Sequence, residues 1–454
     1  MNRLVLLVET VEILDRHLVA SAPVEEGAFL LLHAGRGQRG TRFLGGELLL
    51  PPPGAWEVQE RNQLRPSTRW LSAVVSRAIA AGAGILFVHS HPDSNHPPAL
   101  SATDRRGFAE MANAIGPMLD GPLAAAVVHP NGWSGVVWVE GRMVPIDRVQ
   151  ALGRTLRPLS PVPDSLDSPL DARQRDALGT VHDQLRNLSI AVVGCGGIGS
   201  PLAEQLKRMG AGELIVVDHD PLDTPSNVRR VFGSTAADLA ATVPPAKVDV
   251  VGRHLDQLGL GAPVRRVNGD VRSEAVFRQL LDADVVLVGT DTHGSRAVLN
   301  DLPSAYLLPV IDVGVRVGAK LDRSLAGLFA EVRVLTPATP CLWCRGTISG
   351  DVILAENLPE AERRRREREG YVVGGVGEPV PSVVALTVLG AGLAACALLA
   401  LLADGGRVAP AGYVIDGFLG DARETEPKAP VSGCRCREAL GRGDAVAPPF
   451  VAAA

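Results

Sequence analysis

Short apolar runs alternate with amphipathic stretches along this chain, and their spacing predicts its elements. Phe29 to Leu32 and Ile85 to His89 are continuous apolar runs of strand length, whereas Thr68–Ala81 and Ala102–Ile115 repeat apolar positions at helical spacing. Leu123–His129 and Val136–Val139 read as two further strands. The opening MNRLVLLVETVEIL carries Glu9 and Glu12 and lacks a small-residue cleavage site, so it reads as structure and not as a signal peptide. After Leu156 the text becomes RPLSPVPDSLDSPL, proline-rich with serines and aspartates, which is linker composition. Beyond it come Ile190–Val193, a helix from Ser200, Leu214–Val217 and Val285–Val288. That strand–helix alternation predicts a doubly wound, mostly parallel sheet. The reading is therefore α/β in two domains, residues 1–150 and 172–454, joined by a linker over 151–171.

Two segments break the pattern. Ala385 to Ala403 holds nineteen apolar or small residues without a charge, enough to cross a bilayer by length alone. Rich in Ala and Gly and without an aromatic belt or basic flank, it is expected to be a helix buried on all sides in an α/β domain, so no membrane role is expected. Glu360 to Glu369, EAERRRRERE, has mixed signs and reads as a solvated helix or loop. Composition narrows the class further. A chain of 454 residues, 46% hydrophobic and 21% charged, is a soluble multidomain type, and a net charge of -5 argues against nucleic acid as a partner. Six cysteines cannot be a secreted disulfide scaffold, so a reducing cytoplasm is the expected location. Only Lys207, Lys247, Lys320 and Lys428 are lysines among 45 basic residues, so a lysine at a motif position carries more information, and the arginine bias suits a bacterial source.

The stretch His89 to Asp104, HSHPDSNHPPALSATD, ends the apolar run ILFV. Alternation along a strand sends His89 and His91 to one side. With Asp104 they make a three-ligand set that leaves zinc a fourth position for water. His96 reads as a solvated loop residue. The same residues also serve a plain structural purpose, because Ser101 and Asp104 form an acidic capping box opening a helix. Hydrolysis needs a base as well, and Glu25 and Glu26, ahead of the strand GAFLLL, are the candidates. Ser101 can donate its hydroxyl to a developing oxyanion.

A glutamate before an apolar strand, then H-x-H-P and S-x-x-D, resembles the JAB/MPN (JAMM) metalloprotease family over about the first third of the chain. The resemblance implies a zinc isopeptidase cutting at the C-terminus of ubiquitin or a ubiquitin-like protein. It would use His89, His91 and Asp104 as zinc ligands, with Ser101 as polar helper. Nine residues separate His91 from Ser101 where the family usually has seven. Glu25 fits the family's frame, with Pro23 before it and Ala28 after it; Glu26 is the runner-up.

In the second half, IAVVGCGGIGS from Ile190 to Ser200 is a strand entering a glycine-rich turn and a helix, which lets backbone approach phosphates. Asp218 closes the next strand, where a ribose-binding carboxylate belongs. Those residues alone suit a nicotinamide enzyme. The run DHDPLDTPSNVRR, Lys247 in PPAKVDV and Asp291 in VGTDTHGSR suit instead an adenylating enzyme, whose pyrophosphate leaving group needs cations and Mg²⁺. From about Arg173 onward the chain resembles the family of ThiF, MoeB and the ubiquitin-activating enzymes. That resemblance implies ATP as cofactor in a Rossmann-like adenylation domain, with Gly194, Gly196 and Gly199 as the nucleotide loop and Asp218 on the ribose. Asn227, Arg230 and Lys247 would contact phosphates and Asp291 would bind Mg²⁺. Arg173 would reach the ATP site of a neighbouring protomer in a homodimer, with Arg175 as competitor for that role.

Cys341-Leu-Trp-Cys344 and Cys434-Arg-Cys436 offer four thiolates for a structural zinc, although the second pair is tighter than the family's usual C-x-x-C. The alternative is a set of buried or redox cysteines. Cys195 is expected to fill the glycine turn and Cys396 to be buried and unreactive, so neither is an activated nucleophile. The expected function is cleavage at the tail of a ubiquitin-like protein and ATP-dependent adenylation of its C-terminal carboxylate. A conjugating-enzyme-like partner would follow, as in bacterial conjugation systems, some linked to antiviral defence. A sulfur-carrier adenylyltransferase and an NAD-dependent oxidoreductase with a metal-binding domain are the rivals.

Overall fold

The computed structural model describes residues 1–92, 97–164, 168–319, 324–371, 376, 381–403, 411–425 and 431–447. His96 and residues 165–167 of the expected linker lie outside them. The chain divides into two compact units, the first built mainly from Met1–Val162 and the second from Pro163–Ser304 and Leu308–Glu438.

The first unit contains β1 (Arg3–Leu7), α1 (Val8–Ala20), β2 (Gly27–Arg36), β3 (Thr41–Leu49), β4 (Trp56–Gln59), β5 (Leu64–Pro66), α2 (Thr68–Ala81), β6 (Gly84–Ser90), α3 (Ala102–Ile115), β7 (Leu123–His129), β8 (Gly132–Val139), β9 (Arg142–Ile146), β10 (Arg148–Leu152) and β11 (Leu156–Pro158). Nine strands form one mixed sheet in the order β11-β10-β1-β3-β2-β6-β7-β8-β9, and β4 and β5 form a separate hairpin. Alternation along central β6 explains why it reads as unbroken apolar sequence. Leu86 and Val88 pack with Val11, Leu14 and Leu18 of α1 on one face. On the other face, Ile85 and its neighbour Phe87 pack with Val74, Val75 and Ala78 of α2 and Phe108 and Ala112 of α3. Ile85 is fully buried, so Ile85→Val is expected to destabilise this unit by about 1 kcal/mol. A lower urea midpoint at unchanged slope is the readout.

The domain boundary differs from the expected one. The sheet does not stop at 150: β10 pairs in parallel with β1, and β11 folds back on β10. Val149, Ala151 and Leu152 are fully buried there, and so short a run before prolines has no signature by composition.

The second unit contains α4 (Ala172–Leu178), α5 (Thr180–Asn187), β12 (Ser189–Val193), α6 (Gly199–Arg208), β13 (Glu213–Asp218), α7 (Pro225–Val228), α8 (Ala236–Leu239), α9 (Lys247–Gln257), β14 (Val264–Asn268), α10 (Glu274–Leu280), β15 (Val285–Val288), α11 (His293–Leu299), α12 (Leu302–Ala305), β16 (Val310–Ala319), β17 (Leu325–Leu335), α13 (Leu342–Arg345), α14 (Gly350–Glu356), α15 (Glu360–Arg368), α16 (Val384–Leu402), β18 (Gly412–Asp416), β19 (Asp421–Glu424) and α17 (Arg435–Glu438). Its sheet runs β14-β13-β12-β15-β16-β17-β18-β19. The first five strands are parallel and the remainder an antiparallel meander. Strand order reverses between β12 and β15, which opens a crevice at their carboxyl ends.

Helix α16 corrects two expectations. It is long and apolar enough to cross a membrane, yet only half of its most apolar window is buried, not all sides. Its buried residues, such as Gly390, Ala391, Ala394 and Leu398, follow one stripe, and α16 contacts β16, β17 and α6. Gly390 permits close approach, since a Cβ there would lie 3.1 Å from Val315. Cys396 falls off that stripe and is exposed, not buried. Because the helix is apolar all round, its sequence holds no mark of which side meets the sheet.

Candidate functional site

Two clusters of chemistry-bearing side chains and one group of thiols emerge, each within one unit. In the first unit β2 pairs antiparallel with β6, Gly27 opposite His89, and the Ser90 amide donates to the Glu26 carbonyl at 2.9 Å. Continuing that register sets Glu25 across from His91, whose Nε2 lies 3.6 Å from Glu25 Oε1. Asp104 reaches the same point from the first turn of α3. Its Oδ1 is 3.3 Å from His89 Nε2, and its Oδ2 is 3.1 Å from His91 Nε2. The helix start is held by a complete capping box. Ser101 Oγ accepts from the Asp104 amide at 3.1 Å, and Asp104 Oδ2 accepts from the Ser101 amide at 2.7 Å. Capping and ligand placement are thus one arrangement, since the cap fixes where Asp104 stands.

The electrostatics follow from burial. Glu25 is 3% exposed, and desolvation pushes its carboxyl up to about 7 despite the nearby His91. Burial pushes Asp104 the same way, but hydrogen bonds with His89, His91 and Ser101 outweigh it and hold the carboxyl well below the usual range. Nδ1 of His89 and Oε2 of Glu25 are buried without a hydrogen-bond partner, and His89 Nε2 faces the Asp104 carboxylate. Orphaned buried acceptors cost stability unless something binds them. The spacing suits a metal, because ligands about 2.0–2.1 Å from a tetrahedral zinc lie about 3.4 Å apart. His89, His91 and Asp104 fit that ion, and Glu25 stands beside them. Phe87 stacks on the His89 ring at 5.2 Å and fixes its plane. A groove of about 730 Å³ between the β4–β5 hairpin, α2 and α3 reaches His89 and Asp104, with Leu71, Val75, Met111 and Ile115 along it.

Glu26 is not placed as Glu25 is. Its oxygens accept from the Gly27 amide at 3.0 Å, Trp56 Nε1 at 2.8 Å, Ser21 Oγ at 2.9 Å and Gln59 Nε2 at 3.0 Å. The pattern along the chain held no sign of these partners beyond an isolated tryptophan in a polar stretch.

In the second unit the crevice between β12 and β15 gathers the nucleotide-loop residues. Gly194 has φ 94°, and a Cβ there would press on Gly289 at 3.1 Å; a Cβ on Gly199 would strike the Gly194 carbonyl. Gly196 faces open space, which leaves its backbone approachable. Asp218, at the end of β13, accepts from the Cys195 amide at 2.6 Å and the Asp220 amide at 2.8 Å. Burial raises its carboxyl above the usual range, and the Lys247 charge offsets this in part. Lys247 Nζ bonds Asp220 Oδ2 at 2.6 Å. Asn227 Oδ1 accepts from Arg230 at 2.8 Å, and Arg230 lies beside Gly197. Asp291 is exposed just past β15, where Val193 and Val288 leave the sheet side by side.

Arg173 is not brought into this cluster. It is exposed on α4, and the next residue, Gln174, bonds the carbonyl of Arg208 at the far end of α6 from the glycine loop. Asp220 and Glu356 escaped the pattern. Glu356 accepts from the amides of His293 and Gly294, each at 2.8 Å, and so pins the start of α11 just beyond Asp291. Glu356 lies 63 and 62 residues from these partners, so no local signal joins them.

The thiols meet as a group. Cys341 Sγ lies 3.6 Å from the sulfurs of Cys344 and Cys434, and Cys344 Sγ lies 3.9 Å from that of Cys436. Thiolates about 2.3 Å from a tetrahedral zinc stand about 3.8 Å apart, so the four residues fit that ion. The Val431 amide also points at Cys344 Sγ, at 3.3 Å. We expect Cys344→Ser to lose one equivalent of zinc by metal analysis and to lower the melting temperature of this unit. Cys195 is buried, and desolvation with the nearby Asp218 charge raises its thiol well above the ordinary value, which leaves it inert.

Comparisons with known proteins bear on the second unit. The ubiquitin-like modifier-activating enzyme 5 of Aedes aegypti is 26% identical over 211 residues, 44% of this chain and 49% of that protein. The sulfur carrier protein ThiS adenylyltransferase of Bacillus subtilis is 27% identical over 161 residues, 36% of this chain and 44% of that protein. The chain spans about half the length of these curated relatives. Among solved structures, E. coli MccB with succinimide is similar at 17% identity and a TM-score of 0.45, over 61% of this chain and 76% of that one. The ThiF family profile matches residues 172–436, from the start of α4 to the last of the four clustered thiols. With more than half of its length inside that match, the chain belongs to the ThiF family.

Proposed function

We propose that this chain carries out two reactions on a ubiquitin-like protein: zinc-dependent cleavage at its C-terminal tail, and ATP-dependent adenylation of the carboxylate so exposed. The JAB/MPN-like reading of the first unit is carried by one observation. The buried Nε2 of His89 and the Nε2 of His91 converge on the two oxygens of Asp104, and buried Glu25 stands beside them with Oε1 3.6 Å from His91 Nε2. A zinc held by His89, His91 and Asp104 would supply a Lewis acid that polarises the scissile carbonyl and acidifies water. Glu25 takes the proton of the attacking water on a carboxyl poised near neutrality and returns it to the leaving amine. Ser101 Oγ, accepting from the Asp104 amide, keeps its own proton free for the developing oxyanion.

In the adenylation step a tail carboxylate oxygen attacks the α-phosphorus of ATP, and the bond to pyrophosphate breaks. Gly194, Gly196 and Gly199 admit the phosphates to the backbone, and Asp218 takes the ribose. Lys247, Arg230 and Asn227 meet the charge that leaves, and Asp291 would hold the Mg²⁺ that neutralises it. Arg173, exposed on α4, reaches the ATP site of a second protomer in a homodimer, and a conjugating-enzyme-like partner takes the acyl group. Sulfur-carrier activation is the second reading, favoured by the similarity to the ThiS adenylyltransferase.

The test is ATP–pyrophosphate exchange with ubiquitin-like and sulfur-carrier proteins bearing a free Gly-Gly end, beside cleavage of the same proteins with extended tails. Exchange and cleavage on ubiquitin-like proteins support the reading. Nicotinamide binding in place of ATP·Mg would overturn it.

A further inference from the structure

We propose that Glu26 is a positioning residue for the substrate groove beside the metal cluster, tying the β4–β5 hairpin to the strand ends that carry Glu25, His89 and His91. The inference rests on the peptidase reading of that cluster. Glu26 sits where three elements meet. Its backbone amide donates to Ser90 Oγ at 3.1 Å, and its carbonyl accepts from the Ser90 amide at 2.9 Å. Ser90 is the residue between the two histidines, so Glu26 holds the end of β6 in register. Its carboxylate meanwhile binds Trp56 and Gln59 of β4 and Ser21 beyond α1, with His17 Nε2 at 3.6 Å. At 7% exposure these bonds are made away from water, where a carboxylate's hydrogen bonds are strongest.

The hairpin needs such an anchor. Its strands are four and three residues long and join no larger sheet, and a lone two-stranded ribbon is marginal in water. Its other ties cluster around Glu26. The Glu25 amide donates to the Glu60 carbonyl at 2.9 Å, Gln59 Nε2 reaches the Glu25 carbonyl at 3.3 Å, and the Trp56 ring meets Trp70 edge-on at 4.8 Å. Trp56 lies 6.5 Å from Phe87, the ring that stacks on His89. Glu57, Leu64 and Arg65 of the hairpin form one wall of the groove that ends at His89 and Asp104. Glu26 therefore sets where a substrate tail lies against that wall, while Glu25, one residue earlier with a free oxygen, is left to handle protons.

Glu26→Gln replaces an acceptor oxygen with an NH₂ that must face either Trp56 and Gly27 or Ser21 and Gln59, meeting at least one N–H donor in either case. Trp56→Phe removes one donor and keeps an aromatic ring. Full-length wild type and both variants are compared with a fluorogenic peptide ending in Gly-Gly-aminomethylcoumarin, with zinc analysis and amide hydrogen exchange over residues 56–66. In both variants zinc stays bound, hairpin amides exchange about tenfold faster and KM rises about tenfold, with kcat within about twofold, as expected for losing one hydrogen bond to a buried charge. A fall in kcat at unchanged KM, loss of zinc, or unaltered hairpin exchange would overturn the proposal. If the wild type binds zinc but cleaves no such peptide while hairpin exchange still quickens in the variants, the peptidase reading fails and the anchoring role stands.

Discussion

Glu25→Gln is expected to keep its zinc and lose about 10²–10⁴-fold in kcat for tail cleavage, the range a general base contributes. The side chain keeps its size, so the cluster of His89, His91 and Asp104 should hold its geometry, and only the capacity to take a proton disappears. Glu25 suits that task because burial pushes its carboxyl to about 7, near the operating pH, and because its Oε2 has no other partner. Glu26 suits it poorly, since four donors already occupy its oxygens. Zinc analysis together with steady-state cleavage separates the outcomes. Normal kcat with zinc bound would assign the base elsewhere.

Lys247→Ala is expected to lower ATP–pyrophosphate exchange by about 10²–10³-fold, the scale of removing one preorganised group from a developing charge. Lys247 is a buried ammonium at the first position of α9, bonded to Asp220 and close enough to Asp218 and Cys195 to shift both. Its removal strips the crevice of a cation and takes one ion-pair partner from Asp220. Asp220 is 48% exposed, so water can take over that carboxylate and the fold should persist. Asp291→Ala should weaken exchange similarly through loss of the Mg²⁺ site, with little effect on melting temperature, because Asp291 is exposed. Exchange that survives both changes would remove the adenylation assignment from this crevice.

Several central elements of both units were readable because burial leaves its pattern in the residues themselves, although interior strands β3 and β16 were not. Helices over Thr68–Ala81 and Ala102–Ile115 have the bounds their apolar spacing predicts, and β6 extends the run Ile85–His89 by one residue at each end. Strands at the sheet margins were not readable. β11 and the last two residues of β10 sit where a linker was expected, and the β4–β5 hairpin, whose Trp56 and Gln59 bond Glu26, has no apolar repeat.

From the residues alone came the candidate metal ligands His89, His91 and Asp104, the glycine turn after β12, and the paired thiols. In the first two the chemistry lies within one short stretch whose spacing is its geometry, and the thiols come as two short pairs that the fold joins. Three matters were settled only by the fold. Strand register put Glu25 across from His91 and turned Glu26 to the hairpin. Crossover connections brought Asp220 to Lys247 and Glu356 to the start of α11. Packing of a uniformly apolar helix against one sheet face left Cys396 exposed. Each turns on which side chain faces which neighbour across a long loop, and a sequence pattern, being local, cannot encode that choice.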